Sequence, residues 1–299
     1  LKVAKARAEH PLDQAFLAAA KELDIAYSDD FSGHSQEGVG IYDQTIIEGR
    51  RVSAAKAFLP DSLVRPNLTI SDESRVLRVA MDQQRAIGVE VIRRGRHERI
   101  FAQREIISCA GAIGSPHLLQ QSGIGDSDAL RTVGIEPLHH LPGVGHGLQN
   151  HIEAVVQYRC RSPVTMLPKT RFPARLWAGA RWFLGQKGIC ATNHWETGAF
   201  LCTENASYPD VQIIFSPLSL QPGTLTPTKW HGFQLHAGLQ KPLSRGVVAP
   251  VGKDPFTAPC IRLNFLDAAE DRVRLREAVG MARHLVSARA FDALRAEEV

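Results

Sequence analysis

The 299-residue sequence contains no apolar run near the roughly 20 residues a membrane-crossing helix needs, and its N-terminus carries no hydrophobic signal segment. Its five cysteines, Cys109, Cys160, Cys190, Cys202 and Cys260, are odd in number, widely spaced and free of any Cys-x-x-Cys pair, which argues against a disulfide framework and against a zinc site. A reducing compartment fits that usage. Long runs of one charge are also missing. The net charge of +4 is spread over basic residues separated by acids, so no nucleic-acid partner is expected. No Gly-x-Ser-x-Gly elbow is present for a serine hydrolase, and Ser115 reads better as a helix cap. No Gly-x-Gly-x-x-Gly follows an N-terminal strand. His140, His146 and His151 are separated by Pro and Gly with no helix or strand to converge them, so no metal site is assigned.

What is present is the balance of a folded chain, 44% hydrophobic and 22% charged, long enough for one large domain or about two ordinary ones. Leu12, Ala15, Phe16, Ala19 and Leu23 recur at helical spacing over residues 11–23, with Asp13 in the first turn where the helix dipole favours an acid. Residues 41–47 alternate like a strand, and Ser53 can cap a helix over 54–59 that Pro60 stops. Residues 67–70, 76–81, 86–92 and 97–102 read as four strands joined by polar turns, a β-meander. Residues 105–109 carry consecutive apolar side chains, as in a strand covered on both faces. Beyond about residue 153 the alternating segments 211–215, 232–238 and 261–265 suggest antiparallel sheet, and a basic helix spans 271–289.

After the 105–109 segment comes Ala110-Gly111-Ala112-Ile113-Gly114, and Ser115-Pro116 then opens a helix ending near Gly123. A strand, a Gly turn and a helix start bring main chain close to a nucleotide, because Gly permits approach and free amides bind anions. The same arrangement also serves simply to pack a helix onto a sheet.

The full run from Gly111 to Gly125, with Ser115-Pro116, Leu118-Leu119 and Ser122-Gly123-Ile124-Gly125, is more specific. It resembles the second signature of the glucose-methanol-choline oxidoreductases. Glu37-Gly38-Val39-Gly40, Ser53-Ala54-Ala55-Lys56-Ala57, Arg65-Pro66-Asn67, Gly88-Val89-Glu90, Leu141-Pro142-Gly143-Val144-Gly145 and Ser244-Arg245-Gly246 follow the pattern of the family's choline-oxidising branch in the expected order. The resemblance covers essentially the whole chain. It implies a mixed α+β and α/β fold: residues 1–153 form the later part of an FAD-binding domain, with the β-meander and an interleaved substrate-domain helix near the N-terminus. Residues 154–299 form a substrate domain of antiparallel sheet and helices, with the start of the family's C-terminal region.

The resemblance implies FAD as cofactor. Val76 would meet the adenine through backbone groups, and Ala110 and Gly111 would pack against the adenosine end. The plainer alternatives are that Val76 is a core strand residue and that the glycines only seat the helix. Leu148-Gln149-Asn150-His151 resembles a family loop near the flavin in which an Asp usually precedes the His; here Asn150 stands in its place and brings no charge. In the stretch Asn193 to Phe200, Glu196 matches a pocket position that faces a cationic substrate head, and Trp195 lies beside it. A carboxylate next to an aromatic ring suits a quaternary ammonium, which cannot donate a hydrogen bond. A strand Glu beside a packing Trp is the other reading.

The implied activity is oxidation of a primary, choline-like alcohol to the aldehyde by hydride transfer to flavin, with oxygen or a quinone as electron acceptor. The implied location is cytoplasmic, with peripheral attachment at the inner membrane surface left open. Because the dinucleotide fingerprint and the family's His-bearing segment are not in this sequence, the chain is expected to be an internal fragment, inactive alone, with no catalytic residue assigned in it. A non-catalytic binding or interaction protein derived from the same fold is the competing reading.

Overall fold

A computed structural model describes residues 1–59 and 65–299. The chain forms two compact units interleaved in sequence. One comprises Leu1–Arg65, His151–Pro242 and Glu270–Val299; the other comprises Pro66–Asn150 and Leu243–Ala269.

The first unit is built on a six-stranded antiparallel sheet. Its order across the sheet is Arg295–Glu298, Glu153–Cys160, Gly232–Leu239, Val211–Ser216, Thr197–Leu201 and Gly38–Ile41. Side chains alternate between faces, so one face carries Phe233, Leu235, Ala237, Phe215 and Ile213, all fully buried. The helix Pro11–Glu22 packs here through Leu12, Phe16 and Ala19. Pro11 occupies its first position, and the His10 ring accepts a hydrogen bond from the Leu12 amide, which fixes where the helix starts. Phe16 stacks on Phe215 at 4.9 Å, and Phe233 stacks on Phe291 at 5.3 Å, so rings from three chain segments close the core. The helix Ala269–Ser287 adds Ala278, Ala282, Leu285 and Val286 to the same cluster.

Asp13, placed by its sequence position to complement the helix dipole, is also buried in this core, where it accepts a hydrogen bond of 2.7 Å from the Thr197 hydroxyl. Ser53 caps the short helix Ala54–Phe58 by accepting from the Lys56 amide. The expected stop at Pro60 lies outside the described residues.

The second unit contains the three-stranded meander Ser74–Asp82, Arg85–Arg93 and Arg96–Phe101. Arg94 and Gly95 both have positive φ, 47° and 79°, between the paired Arg93 and Arg96. This is the two-residue primed turn whose twist matches an antiparallel hairpin. The helix Gly111–Gln121 packs against the first of these strands: the Ser122 hydroxyl accepts from the Val79 amide at 2.8 Å and donates to the Leu118 carbonyl at 2.6 Å. A second small sheet joins His146–Leu148, Gly246–Ala249 and Cys260–Arg262.

Besides the 41–47 stretch, which is divided among the short strands Gly38–Ile41, Asp43–Gln44 and Ile46–Ile47 in separate sheets, three local expectations change. Residues 67–70 form no strand, and residues 105–109 form none either, because neither segment has a ladder partner among the described residues. An apolar run alone does not supply the cross-chain hydrogen bonds that define a strand. The third change concerns the helix start. Gly111, at φ +77°, turns the chain four residues before Ser115, and Pro116 falls inside the helix rather than at its first position. Ser115 keeps a related task, accepting from the Ala110 amide at 3.1 Å.

Candidate functional site

The sheet of the first unit has a second face, and it is polar. The register pairs Glu153 with Gly238, Val155 with His236 and Gln157 with Gln234, so Glu153, Gln157, Gln234 and His236 share the side opposite the aromatic core. They form one hydrogen-bonded chain. Gln234 Oε1 accepts from Gln157 Nε2 at 2.9 Å and from the Leu220 amide at 2.8 Å. Two donors on that oxygen fix the orientation of the amide, which turns Gln234 Nε2 toward His236 Nε2 at 2.6 Å. The imidazole must therefore accept at Nε2 and carry its proton on Nδ1, where it donates to Glu153 Oε1 at 2.7 Å. The tautomer follows from the network rather than from an observed hydrogen.

Trp195 lies on this same face, its ring 5.1 Å from the His236 ring. Together with Glu153, Gln157, Gln234 and the turn at residues 220–225, these side chains line a cavity of about 590 Å³. That volume is in the range of small-molecule sites.

Glu196 lines a different cavity, of about 360 Å³, whose rim carries Arg7, His10, Lys169, Arg181 and Lys187. Glu196 is only 7% exposed. Its Oε2 accepts from the Ala8 amide at 2.8 Å and its Oε1 from the Thr192 hydroxyl, so both carboxylate oxygens have protein donors. Burial lowers the pKa of His10, and Lys169 lowers it further; burial likewise lowers His194, against the pull of Glu196. Trp195 and Glu196, adjacent in sequence, thus open on two cavities of contrasting charge. One is lined by Glu153 and by no Lys or Arg, and the other by Arg7, Lys169, Arg181 and Lys187 together with the carboxylates of Glu9 and Glu196.

In the second unit, Val76 sits on an edge strand of the meander and is 41% exposed, while its cross-strand neighbour Val91 is buried. An extra residue at Leu77 bulges this strand and sends the Leu77 side chain inward. Val76 is therefore not a core side chain. The charge of Arg75 lowers the pKa of His117, second to burial, and Ser122 bonds Val79. Ala110 and Gly111 are exposed, and beyond its chain neighbours and its own helix turn no atom of the described residues lies within 4 Å of where a Gly111 Cβ would stand. Exposed main chain at a positive-φ Gly, with open space before it, fits the approach of a nucleotide.

The sequence reading placed Trp195 and Glu196 in one pocket and did not include Glu153, Gln157, Gln234 or His236. The usable signal was the pair Gln234 and His236, two positions apart in the otherwise apolar and glycine-containing stretch Gly232–Leu239.

Comparison with known proteins agrees with this architecture. A family model described as GMC oxidoreductase matches residues 1–153. An oxygen-dependent choline dehydrogenase of Staphylococcus haemolyticus is 36% identical over 301 residues, which span 100% of this chain and 53% of that protein. One from Vibrio vulnificus is 37% identical over 291 residues, 97% of this chain and 52% of that protein. The chain spans about half the length of the curated relatives it matches. Among solved structures, pyridoxine 4-oxidase from Mesorbium loti superposes with a TM-score of 0.84 at 26% identity, over 99% of this chain and 55% of that one. A formate oxidase gives 0.88 at 22% identity, over 99% and 57%, and shares the fold.

Proposed function

The chain belongs to the GMC oxidoreductase family, and from that premise we propose that it works as part of an FAD-dependent enzyme oxidising a primary alcohol to the aldehyde. The observation that carries the reading is the cavity over the polar face of the six-stranded sheet. It is polar on its floor, walled by Trp195, and closed by a hydrogen-bonded chain with a fixed direction.

The second unit would hold the adenosine end of FAD through the main chain at Val76, Ala110 and Gly111. When bound, FAD supplies the hydride acceptor. The protein's own part is orientation. Gln157, Gln234 and His236 cannot rotate without breaking at least one hydrogen bond each, so the floor they form is rigid. Glu196 anchors the loop that presents Trp195, tying residues 192–196 to the Ala8 backbone. We further propose that Trp195 and Glu196 lie at the substrate side of the molecule, and that the substrate is an amino alcohol such as choline.

The test is anaerobic addition of primary alcohols to the FAD-loaded enzyme of which this chain is part, while the flavin absorption band is followed. Bleaching by choline, faster than by its neutral analogue 3,3-dimethyl-1-butanol, is expected. An unchanged band with every primary alcohol tried would overturn the proposal.

A further inference from the structure

The helix Ala174–Gly185 departs from the rule that an amphipathic helix hides its apolar face. None of its residues is buried. At about 100° per residue, Leu176, Trp177, Ala180, Phe183 and Leu184 fall on one stripe, and its large side chains face solvent: Trp177 is 76% exposed, Phe183 79% and Leu184 83%. Phe172, just ahead of the helix, is exposed as well. The orientation is fixed from the other side. Trp182 lies across the helix from the stripe, where its Nε1 donates to the Gly49 carbonyl at 2.7 Å and the Arg50 guanidinium stands 5.9 Å from its ring centre. The helix is thus fastened with its apolar side outward.

Charge around the stripe is mostly of one sign. The sequence holds no Asp or Glu between Glu153 and Glu196, while Lys169, Arg171, Arg175, Arg181 and Lys187 stand on and beside the helix, all exposed. Trp177, Leu184 and Ile189, with Lys169, Arg181 and Lys187, line a groove of about 680 Å³ between the helix and the chain that follows it, and no acid lines it. The carboxylates that share Lys169, Arg181 and Lys187 through the adjoining cavity are Glu9 and Glu196, and Glu196 has both oxygens engaged.

These features separate the possible occupants. A second copy meeting this face about a two-fold axis would bring like charges together, which opposes pairing. An anionic bilayer satisfies both halves of the pattern: the Trp, Phe and Leu side chains enter the boundary between headgroups and acyl chains, and the cations meet the phosphates. At 12 residues the helix is about 18 Å long, too short to cross the hydrocarbon layer and long enough to lie in its boundary.

We infer that the helix Ala174–Gly185 is an interfacial docking element, by which the protein binds the surface of a bilayer carrying anionic phospholipid. The inference does not rest on the alcohol-oxidising reading, since vesicle binding needs no substrate.

The experiment is co-sedimentation of the FAD-loaded enzyme of which this chain is part with vesicles of phosphatidylcholine alone and of phosphatidylcholine mixed with an equal amount of phosphatidylglycerol. Binding to the mixed vesicles is expected, and it should weaken as salt is raised. Replacing Phe183 and Leu184 together by Ser is expected to lower the partition coefficient about tenfold or more. Arg175→Gln should lower it about fivefold on the mixed vesicles and little on phosphatidylcholine. In the unmodified enzyme, amide hydrogen exchange over residues 174–185 should slow on the vesicles. Wild type that stays in the supernatant with mixed vesicles, as it would if the rest of the enzyme covered the helix, overturns the inference. Unslowed exchange in this helix, or a Phe183→Ser, Leu184→Ser variant that sediments as the wild type does, also overturns it. So does a smaller oligomer in that variant without vesicles, measured by sedimentation velocity, because a second copy would then cover the face. Vesicle binding without bleaching by any alcohol leaves this inference standing and removes the proposed activity. Bleaching without vesicle binding does the reverse.

Discussion

Strand Gly232–Leu239 and the segment at residues 105–109 both hold large apolar side chains, and they end in opposite environments. The strand is paired on both edges, with Glu153–Cys160 on one side and Val211–Ser216 on the other, and all eight of its residues are buried. The segment pairs with nothing among the described residues, and Ile107 is 74% exposed. Burial is conferred by neighbours rather than by composition. The strand even carries Gln234 and His236 inside, because the Leu220 turn, Gln157 and Glu153 satisfy their polar atoms.

The sharpest way to test this contrast is to cut into the buried strand. Phe233 lies against Tyr158 at 5.7 Å, Phe215 at 5.7 Å and Phe291 at 5.3 Å, so its ring joins the sheet to the chain that returns after the long C-terminal helix. Phe233→Ala is expected to cost about 3–5 kcal/mol, the transfer term plus the cavity left among three rigid rings. Urea unfolding followed by circular dichroism reads this directly. A loss below about 1 kcal/mol would mean that the aromatic cluster does not hold the sheet.

The next effect is pH-dependent and lies in the same core. Burial pushes the Asp13 carboxyl up to about 7, against the Thr197 hydrogen bond that lowers it, and the Glu196 charge adds to the rise. Below about pH 4 folded and unfolded chains both carry this proton, while between about 4 and about 7 only the folded chain keeps it. Stability contributed at this site is therefore present at low pH, falls as pH rises through that window, and is level above it. Asp13→Asn retains an oxygen for Thr197 and has no charge to bury. It is expected to flatten the slope between pH 4 and 7 and to stabilise the protein at pH 8. An unchanged slope would show that Asp13 is hydrated in solution.

The sequence made three strands of the meander, the helices Pro11–Glu22 and Ala269–Ser287 and the strands Val211–Ser216 and Gly232–Leu239 readable because each has partners close along the chain or a strong period, whereas the helix Ala174–Gly185 and the strands Gly246–Ala249 and Arg295–Glu298 were not anticipated. The hairpin turn at Arg94-Gly95 announces itself, and so does the cap at Ser53. What was not readable depends on distant residues. The strand-like look of 105–109 carries no information about a missing ladder, and the alternation in 193–200 does not reveal that Trp195 turns to His236 while Glu196 turns to Ala8. The network from Gln157 to Glu153 joins strands about 80 positions apart, so only the register of the folded sheet assembles it.

A smaller effect is expected where the second unit ties its helix to the meander. Ser122 answers the Val79 amide while passing its own proton to the Leu118 carbonyl, one hydroxyl serving two backbone groups. Ser122→Ala leaves the amide without its acceptor and is expected to cost about 1 kcal/mol. Amide hydrogen exchange at Val79 should quicken in the variant more than exchange along Gly232–Leu239. Equal acceleration in both would mean that the two units unfold together and that the contrast between them is not energetic.

The least disruptive change should be Ile107→Ser. With no ladder partner and three-quarters of its surface open, Ile107 has almost no burial to lose, and a stability change within about 0.5 kcal/mol is expected. The same substitution in a paired strand would remove an apolar side chain from the core. The measurement is urea unfolding at two protein concentrations differing about tenfold. A loss of about 1.5 kcal/mol or more that grows with protein concentration would show a second copy covering this segment in solution, since only an intermolecular contact makes the cost depend on concentration. A comparable loss independent of concentration would instead place Ile107 inside its own unit, and the distinction between the paired strand and the unpaired segment would then not hold.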